Sequence, residues 1–333
     1  MATHLVLVGL TASGKSAVAL DVARRIGREV PVEIVSIDSM AVYRHMDVGT
    51  AKPPAAARAE VPHHLLDIAD PSEDVSVQGF QAAAHDVLDG IDKRAARAVL
   101  VGGTGLYVSA VIDGLCLPGR YPAATAALED ELAESMRCGQ TEPEALLSLH
   151  GRLGRLDPAA AARIEPTNRR RILRALEVTL GSGRPFSACG PGIGAFRATG
   201  NVLVGLRHPP CVQDRRIAER VREQVAGGWP EEVAALLARP EGMSRTARQA
   251  LGYREIAAYI DGRSSLDETV AAIVRRTRTV ARRQWAWFRR DPRIRWIDPA
   301  DGAVDRIVEL WSAAWGREGR RGVAGATSTA RDW

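Results

Sequence analysis

The sequence predicts an α/β protein: a parallel sheet flanked by helices, with a helical insertion domain. Three observations carry the prediction. Apolar runs and helical stretches alternate through residues 4–101, a glycine-rich turn joins the first run to the first helix, and strand signals stop after Leu117 to resume only at Val202.

Residues 4–8, 33–37 and 98–101 read as strands, with helices at 14–26 and 78–93 between them. That order covers a parallel sheet with helices. The Ala- and Arg-rich segments 123–138, 142–149, 158–164 and 168–181 read as helices, and 182–200, rich in Gly, Pro and Ser, reads as a loop. Val202 to Leu206 returns to the sheet, and helices follow at 213–227 and 230–238. A long helix from Leu266 to about Arg290 is stopped by Asp291-Pro292. The expected domains are a core of 1–117 with 201–316 and an insertion of 118–200. Residues 317–333, with little apolar content, are expected to form a disordered tail.

At 333 residues, 46% hydrophobic and 26% charged, the chain can bury a large core. Its formal charge of +5 favours an anionic partner without naming one. Cys116, Cys138, Cys189 and Cys211 lack metal-site or redox-motif spacing and read as free, buried thiols in a reducing compartment. No apolar run approaches the roughly 20 residues that span a bilayer, and the start lacks a secretory pattern, so a cytoplasmic protein without a membrane partner is expected.

Gly9-Leu10-Thr11-Ala12-Ser13-Gly14-Lys15-Ser16 is a complete phosphate-binding loop between strand and helix, which makes the predicted fold P-loop NTPase-like. Such a loop turns backbone N–H groups around a diphosphate or triphosphate, Lys15 adds a point charge, and the Ser16 hydroxyl can ligate Mg²⁺. Lysine otherwise occurs only at 52 and 93, against 42 arginines (45 − 3), which marks position 15 as one needing a compact ammonium. Asp38 follows the apolar run Val32 to Ile37, so it stands at a strand end beside the loop and the Gly102-Gly103-Thr104 turn. It could hold Mg²⁺ through water or take a proton from a nucleophile.

One feature points to nucleic acid. On the long helix Arg275, Arg278, Arg282 and Arg289, with Arg276, Arg283 and Arg290 alongside, form a basic stripe opposite Val270, Ile273, Thr277, Val280 and Phe288. Trp285 and Trp287 could stack on bases but are read as core packing. Arg220 projects beside a buried stripe of Ile217, Val221 and Val225.

Further motifs run in collinear order. They are Asp38-Ser39-Met40-Ala41-Val42-Tyr43-Arg44, Met46 to Pro53, Pro62 to Asp67, Gly102 to Tyr107, and Arg171 to Val178. With the phosphate loop, the stretch from about residue 4 to 298 resembles the tRNA dimethylallyltransferase family. The resemblance implies transfer of a dimethylallyl group from dimethylallyl diphosphate to N6 of the adenosine 3′ to the anticodon, with Asp38 as general base. It implies that Thr11 and Thr104 line the reaction centre and that Arg220 grips the diphosphate. Asp38, Ser39, Met40, Ala41 and Thr104 are implied to meet the tRNA, with Arg170, Arg171 and Arg174 on the anticodon stem-loop, while the basic stripe itself puts Arg278 and Arg282 on the tRNA backbone. The adenine would be taken out of its stack. His63 and His64 are read as structural support. Leu10 stands where the family usually has proline, and Ala41 where it usually has glutamine, a change that removes hydrogen bonds to the bases beside the target. A monomer is expected. The competing readings are a P-loop kinase for a small metabolite, a prenyltransferase for free adenylates, and a non-catalytic, nucleotide-gated RNA-binding protein.

Overall fold

The computed structural model describes residues 2–190, 192 and 194–326. They divide into two compact units, Met1–Asp113 with Phe196–Trp333, and Gly114–Ala195.

The first unit is built on six parallel strands, β1 Leu5–Gly9, β2 Val32–Ile37, β3 His63–His64, β4 Arg97–Gly102, β5 Val202–Leu206 and β6 Arg295–Ile297, in the order β3-β2-β4-β1-β5-β6. Its helices are α1 Lys15–Ile26, α2 Ala55–Glu60, α3 Val77–Lys93 and α4 Gly105–Asp113 before the second unit. The second unit holds α5 Pro122–Arg137, α6 Glu142–Leu156, α7 Pro158–Ala161 and α8 Arg169–Ser182. After it the first unit resumes with α9 Pro210–Ala226, α10 Trp229–Leu237, α11 Tyr253–Ile260, α12 Leu266–Phe288 and α13 Ala303–Ala326.

Alternation along β1 explains the layering. Leu5 and Leu7 face one side, against Ala19, Val22 and Ile26 of α1 and Ile307 and Trp311 of α13. Val6 and Val8 face the other, in a core with Phe80 of α3, Tyr107 of α4, Ile217 of α9 and Ile273 of α12. Both faces are covered, as an all-parallel sheet requires. Trp311 is fully buried and donates its indole N–H to the Thr3 carbonyl at 2.9 Å. Trp311→Ala is therefore expected to cost about 3–5 kcal/mol, read as a lower denaturant midpoint at unchanged slope.

In the second unit Leu128, Leu132, Leu146, Leu149, Leu153, Ile172 and Leu176 interdigitate as one core. A capping box of Thr141 with Glu144 starts α6, and the Asn168 side chain starts α8 by accepting from Arg171 N.

Two expectations are corrected. Helix α13 continues to Ala326, so residues 317–326 are not the expected disordered stretch. Propagating an existing helix costs little once its buried first half has nucleated it. The remaining expected tail, 327–333, lies outside the described residues. The cysteines are free, but Cys116, Cys138 and Cys211 are exposed rather than buried. Cys138 is the residue ending α5 and Cys211 lies in the first turn of α9, where a small side chain meets solvent.

Candidate active site

Strand register aligns the chemistry. Val8 of β1 and Ile37 of β2 both pair with Gly102 of β4, so Gly9, Asp38 and Gly103 leave the sheet side by side at its carboxyl edge. With β4 between them, β1 and β2 are two strand spacings apart, about 10 Å, enough to seat a small diphosphate between loop and carboxylate. A cavity of about 250 Å³ opens there, lined by Thr11, Lys15, Ser16, Asp38, Thr104 and Arg220 among others. Gly102 cannot carry a side chain, because a Cβ would stand 2.2 Å from the Ile37 carbonyl oxygen.

The loop shapes itself around its amides. Ala12 and Gly14 both take left-handed backbone angles, φ 62° and 84°, and Ser13 N donates to Leu10 O at 3.1 Å. Helix α1 then begins with no side-chain cap and no acidic residue in its first turn. Helices α3, α8 and α12, by contrast, start on the side chains of Ser76, Asn168 and Ser265. The open end of α1 keeps its N–H groups and dipole available to an anion.

Charge matches that opening. Lys15 Nζ touches the Leu10 carbonyl at 3.3 Å and makes no ion pair among the described residues, nor does Arg220. Burial pushes the Lys15 ammonium down to about 8, with Arg220 adding to the shift and the Asp38 carboxylate opposing it. Burial also holds Arg220 below its ordinary range, again against Asp38. Two cations thus meet one carboxylate, leaving an excess positive charge directed at the cavity.

Asp38 is fixed from its own turn. Its Oδ1 accepts from Met40 N at 2.8 Å and Ala41 N at 3.2 Å, while Oδ2 has no hydrogen bond among the described residues. Ser39 and Thr104 hydroxyls lie 3.4 Å apart, joining the β2 and β4 turns. Burial raises the Tyr107 phenol to about 12, with Tyr43 and Asp38 reinforcing it, so Tyr107 stays neutral beside the site.

Other expected residues fall elsewhere. Leu10 is packed in the core and Ser13 is buried behind the loop, so their side chains frame the site without lining it. Met40 and Ala41 line the cavity. Arg278 lies 3.5 Å from Asp214 and lines a separate groove with Arg222 and Arg275, while the exposed Arg282 donates to Thr279. In the second unit Arg170 and Arg171 are exposed, whereas Arg174 pairs with Glu177 at 2.7 Å and donates to the Pro118 and Gly119 carbonyls. His64 pairs with Glu33, and His63 lies 2.7 Å from the Val61 carbonyl. Trp285 lies under Arg207 and edge-on to Trp296, so it packs within the protein.

Several residues at the site have no counterpart in the sequence reading. Gln284 of α12 accepts from Thr11 N at 2.8 Å and donates to Gly103 O at 3.0 Å. Gln213 of α9 donates to Thr11 O at 2.6 Å, and Arg216 donates to Ala12 O at 3.0 Å. Gln224 and Glu232 hold the backbone of residues 47–49, of which Gly49 lines the cavity. One signal was present: Ile273, Thr277, Val280 and Gln284 repeat at helical spacing, an apolar stripe that ends in a polar residue.

Residues 41–291 match the family described as IPP transferase. The chain is 43% identical over 314 residues to a tRNA dimethylallyltransferase of Mycobacterium sp. (strain KMS), covering 93% of this chain and 98% of that one. It is 45% identical over 315 residues to a tRNA dimethylallyltransferase of Kineococcus radiotolerans, covering 92% and 96%. The crystal structure of the full-length tRNA isopentenylpyrophosphate transferase from Bacillus halodurans superposes with a TM-score of 0.68 at 34% identity, over 97% of this chain and 99% of that chain.

Proposed function

From the premise that this chain belongs to the IPP transferase family, we propose how its site carries out prenyl transfer to tRNA. The protein is a prenyltransferase that modifies tRNA. The donor is dimethylallyl diphosphate and the acceptor is N6 of the adenosine 3′ to the anticodon. The observation that carries this reading is the convergence on one carboxylate, Asp38, of the uncapped start of α1 and of two cations, Lys15 and Arg220, that make no ion pair among the described residues.

The N6–C1 bond forms as the allylic C1–O bond breaks, the electron pair leaves with pyrophosphate, and the N6 proton passes to Asp38 Oδ2. An adenine amine is a weak nucleophile because its lone pair is delocalised, so removing its proton as the bond forms lowers the barrier. Negative charge grows on the departing oxygen, where the loop amides, Lys15 and Arg220 stabilise it. Thr104, beside Ser39 at the head of α4, orients the reacting groups.

The donor set at the loop fits Mg²⁺. Ser16 offers a hard oxygen, and among the described residues no group of three or more His, Cys, Asp or Glu forms a protein-only cage. An ion at Ser16 would therefore take its other ligands from the diphosphate and water. When bound, Mg²⁺ neutralises charge developing on the leaving group.

Arg170 and Arg171 contact the anticodon stem-loop and Arg278 and Arg282 its phosphates, with the protein acting as a monomer in the cytoplasm. No helix among the described residues is long and apolar enough to cross a membrane. The test incubates purified protein with Mg²⁺, unmodified tRNA carrying adenosine 3′ to its anticodon, and radiolabelled dimethylallyl diphosphate, with AMP and ATP as competitors. Label on tRNA alone is expected. Label on AMP or ATP, or ATP turnover without label transfer, would overturn the reading in favour of a free-adenylate prenyltransferase or a kinase.

A further inference from the structure

We propose that Gln213, Arg216 and Gln284 are positioning residues that hold the phosphate loop in its anion-binding shape. This rests on the reading that the loop holds a diphosphate. Three backbone groups of the loop are held by side chains from α9 and α12, and a fourth by the loop itself. Gln284 accepts from Thr11 N, Gln213 donates to Thr11 O, Arg216 donates to Ala12 O, and Leu10 O closes Ser13 N. The amides of Ala12, Gly14, Lys15 and Ser16 have no protein acceptor among the described residues.

The two sets are geometrically linked. Within a trans peptide the C=O and N–H point in opposite directions. When Gln213 draws the Thr11 carbonyl outward, the Ala12 N–H of the same peptide is turned inward. Holding Ala12 is needed because a non-glycine residue at φ 62° is strained and would relax if released. Gln213 suits this role because it is buried, and its amide orientation is set by a carbonyl acceptor that its oxygen could not replace. Gln284 adds a tie between strands, since its other end holds Gly103 O in the turn after β4.

The test titrates inorganic pyrophosphate with Mg²⁺ into the full chain by calorimetry, alongside steady-state prenyl transfer and thermal melting. Gln213→Met and Gln284→Met keep volume but lose the hydrogen bonds. Each is expected to weaken pyrophosphate binding at least tenfold and to raise the KM for dimethylallyl diphosphate. Neither should move the Kd for tRNA more than twofold at temperatures well below the melting transition. Arg216 is exposed, so Arg216→Met and Arg216→Lys fold readily. The lysine variant, which can still donate to Ala12 O, is expected to recover most of what the methionine variant loses. Pyrophosphate binding within twofold of wild type in all three methionine variants would overturn the proposal. So would parallel losses in melting temperature, tRNA binding and pyrophosphate binding, which mark a purely structural role. Failure of the wild-type protein to bind pyrophosphate would instead overturn the diphosphate reading on which it rests.

Discussion

Asp38→Asn is expected to lower single-turnover prenyl transfer by about two to four orders of magnitude while leaving tRNA affinity unchanged. The asparagine Oδ1 can still accept from Met40 N and Ala41 N, so the turn that presents the side chain survives. Only the capacity to take a proton is lost. The variant thus separates base catalysis from architecture in a way that alanine does not. A fall in tRNA affinity equal to the fall in rate would reassign Asp38 to substrate binding.

Lys15→Met should weaken pyrophosphate binding about a thousandfold. Two unit charges 4 Å apart at an effective dielectric of 20 interact by about 4 kcal/mol, and an ammonium beneath a diphosphate is in that regime. The wild-type protein offers an internal check through pH. Only the charged ammonium attracts the anion, and burial sets its pKa near 8, so affinity should hold below that pH and fall above it. The bound anion favours the proton, so the break shifts upward once the site is filled. Stability runs the other way. The unfolded chain keeps this proton up to the ordinary 10.5, so the empty protein gains stability from Lys15 as pH rises from about 8 toward 10.5. Calorimetry on wild type and Lys15→Met across pH 7–10, each corrected for the ionisation of pyrophosphate itself, checks the binding arm. A break that persists in the variant would place the titrating group elsewhere.

The site's frame was legible because strands and phosphate loop announce themselves locally. Leu5 to Gly9 is a short apolar run ending in glycine, and Asp38 and Thr104 come just after comparable runs. The parallel order follows from helices between strands, and the register then brings the three turns together without further information. The short pieces α2, β3 and β6 left no signal, since β3 and β6 have only two and three residues and the six of α2 make fewer than two helical turns. Gln213 and Gln284 were illegible for another reason. Their partners lie 202 and 273 residues away, and a hydrogen bond to a distant backbone leaves no pattern near the side chain that makes it. The basic face of α12 was readable as a stripe, but the pairing of Arg278 with Asp214 and of Arg276 with Glu255 was not, because those carboxylates sit on α9 and α11.

The central place of β1, between β4 and β5, bears on how the protein is made. A nascent chain that has emerged only through β4 has an open edge along β1 and a phosphate loop whose Thr11 peptides have neither glutamine partner. Closing that edge waits for residue 202, and bracing the loop waits for residue 284, near the end of the core. The last contacts to the loop and to the free edge of β1 therefore form late in synthesis, after the Gly114–Ala195 unit has already been made. Chains released early, by truncation or premature termination before α12, carry an intact loop sequence but lack the Gln284 contacts to Thr11 N and Gly103 O.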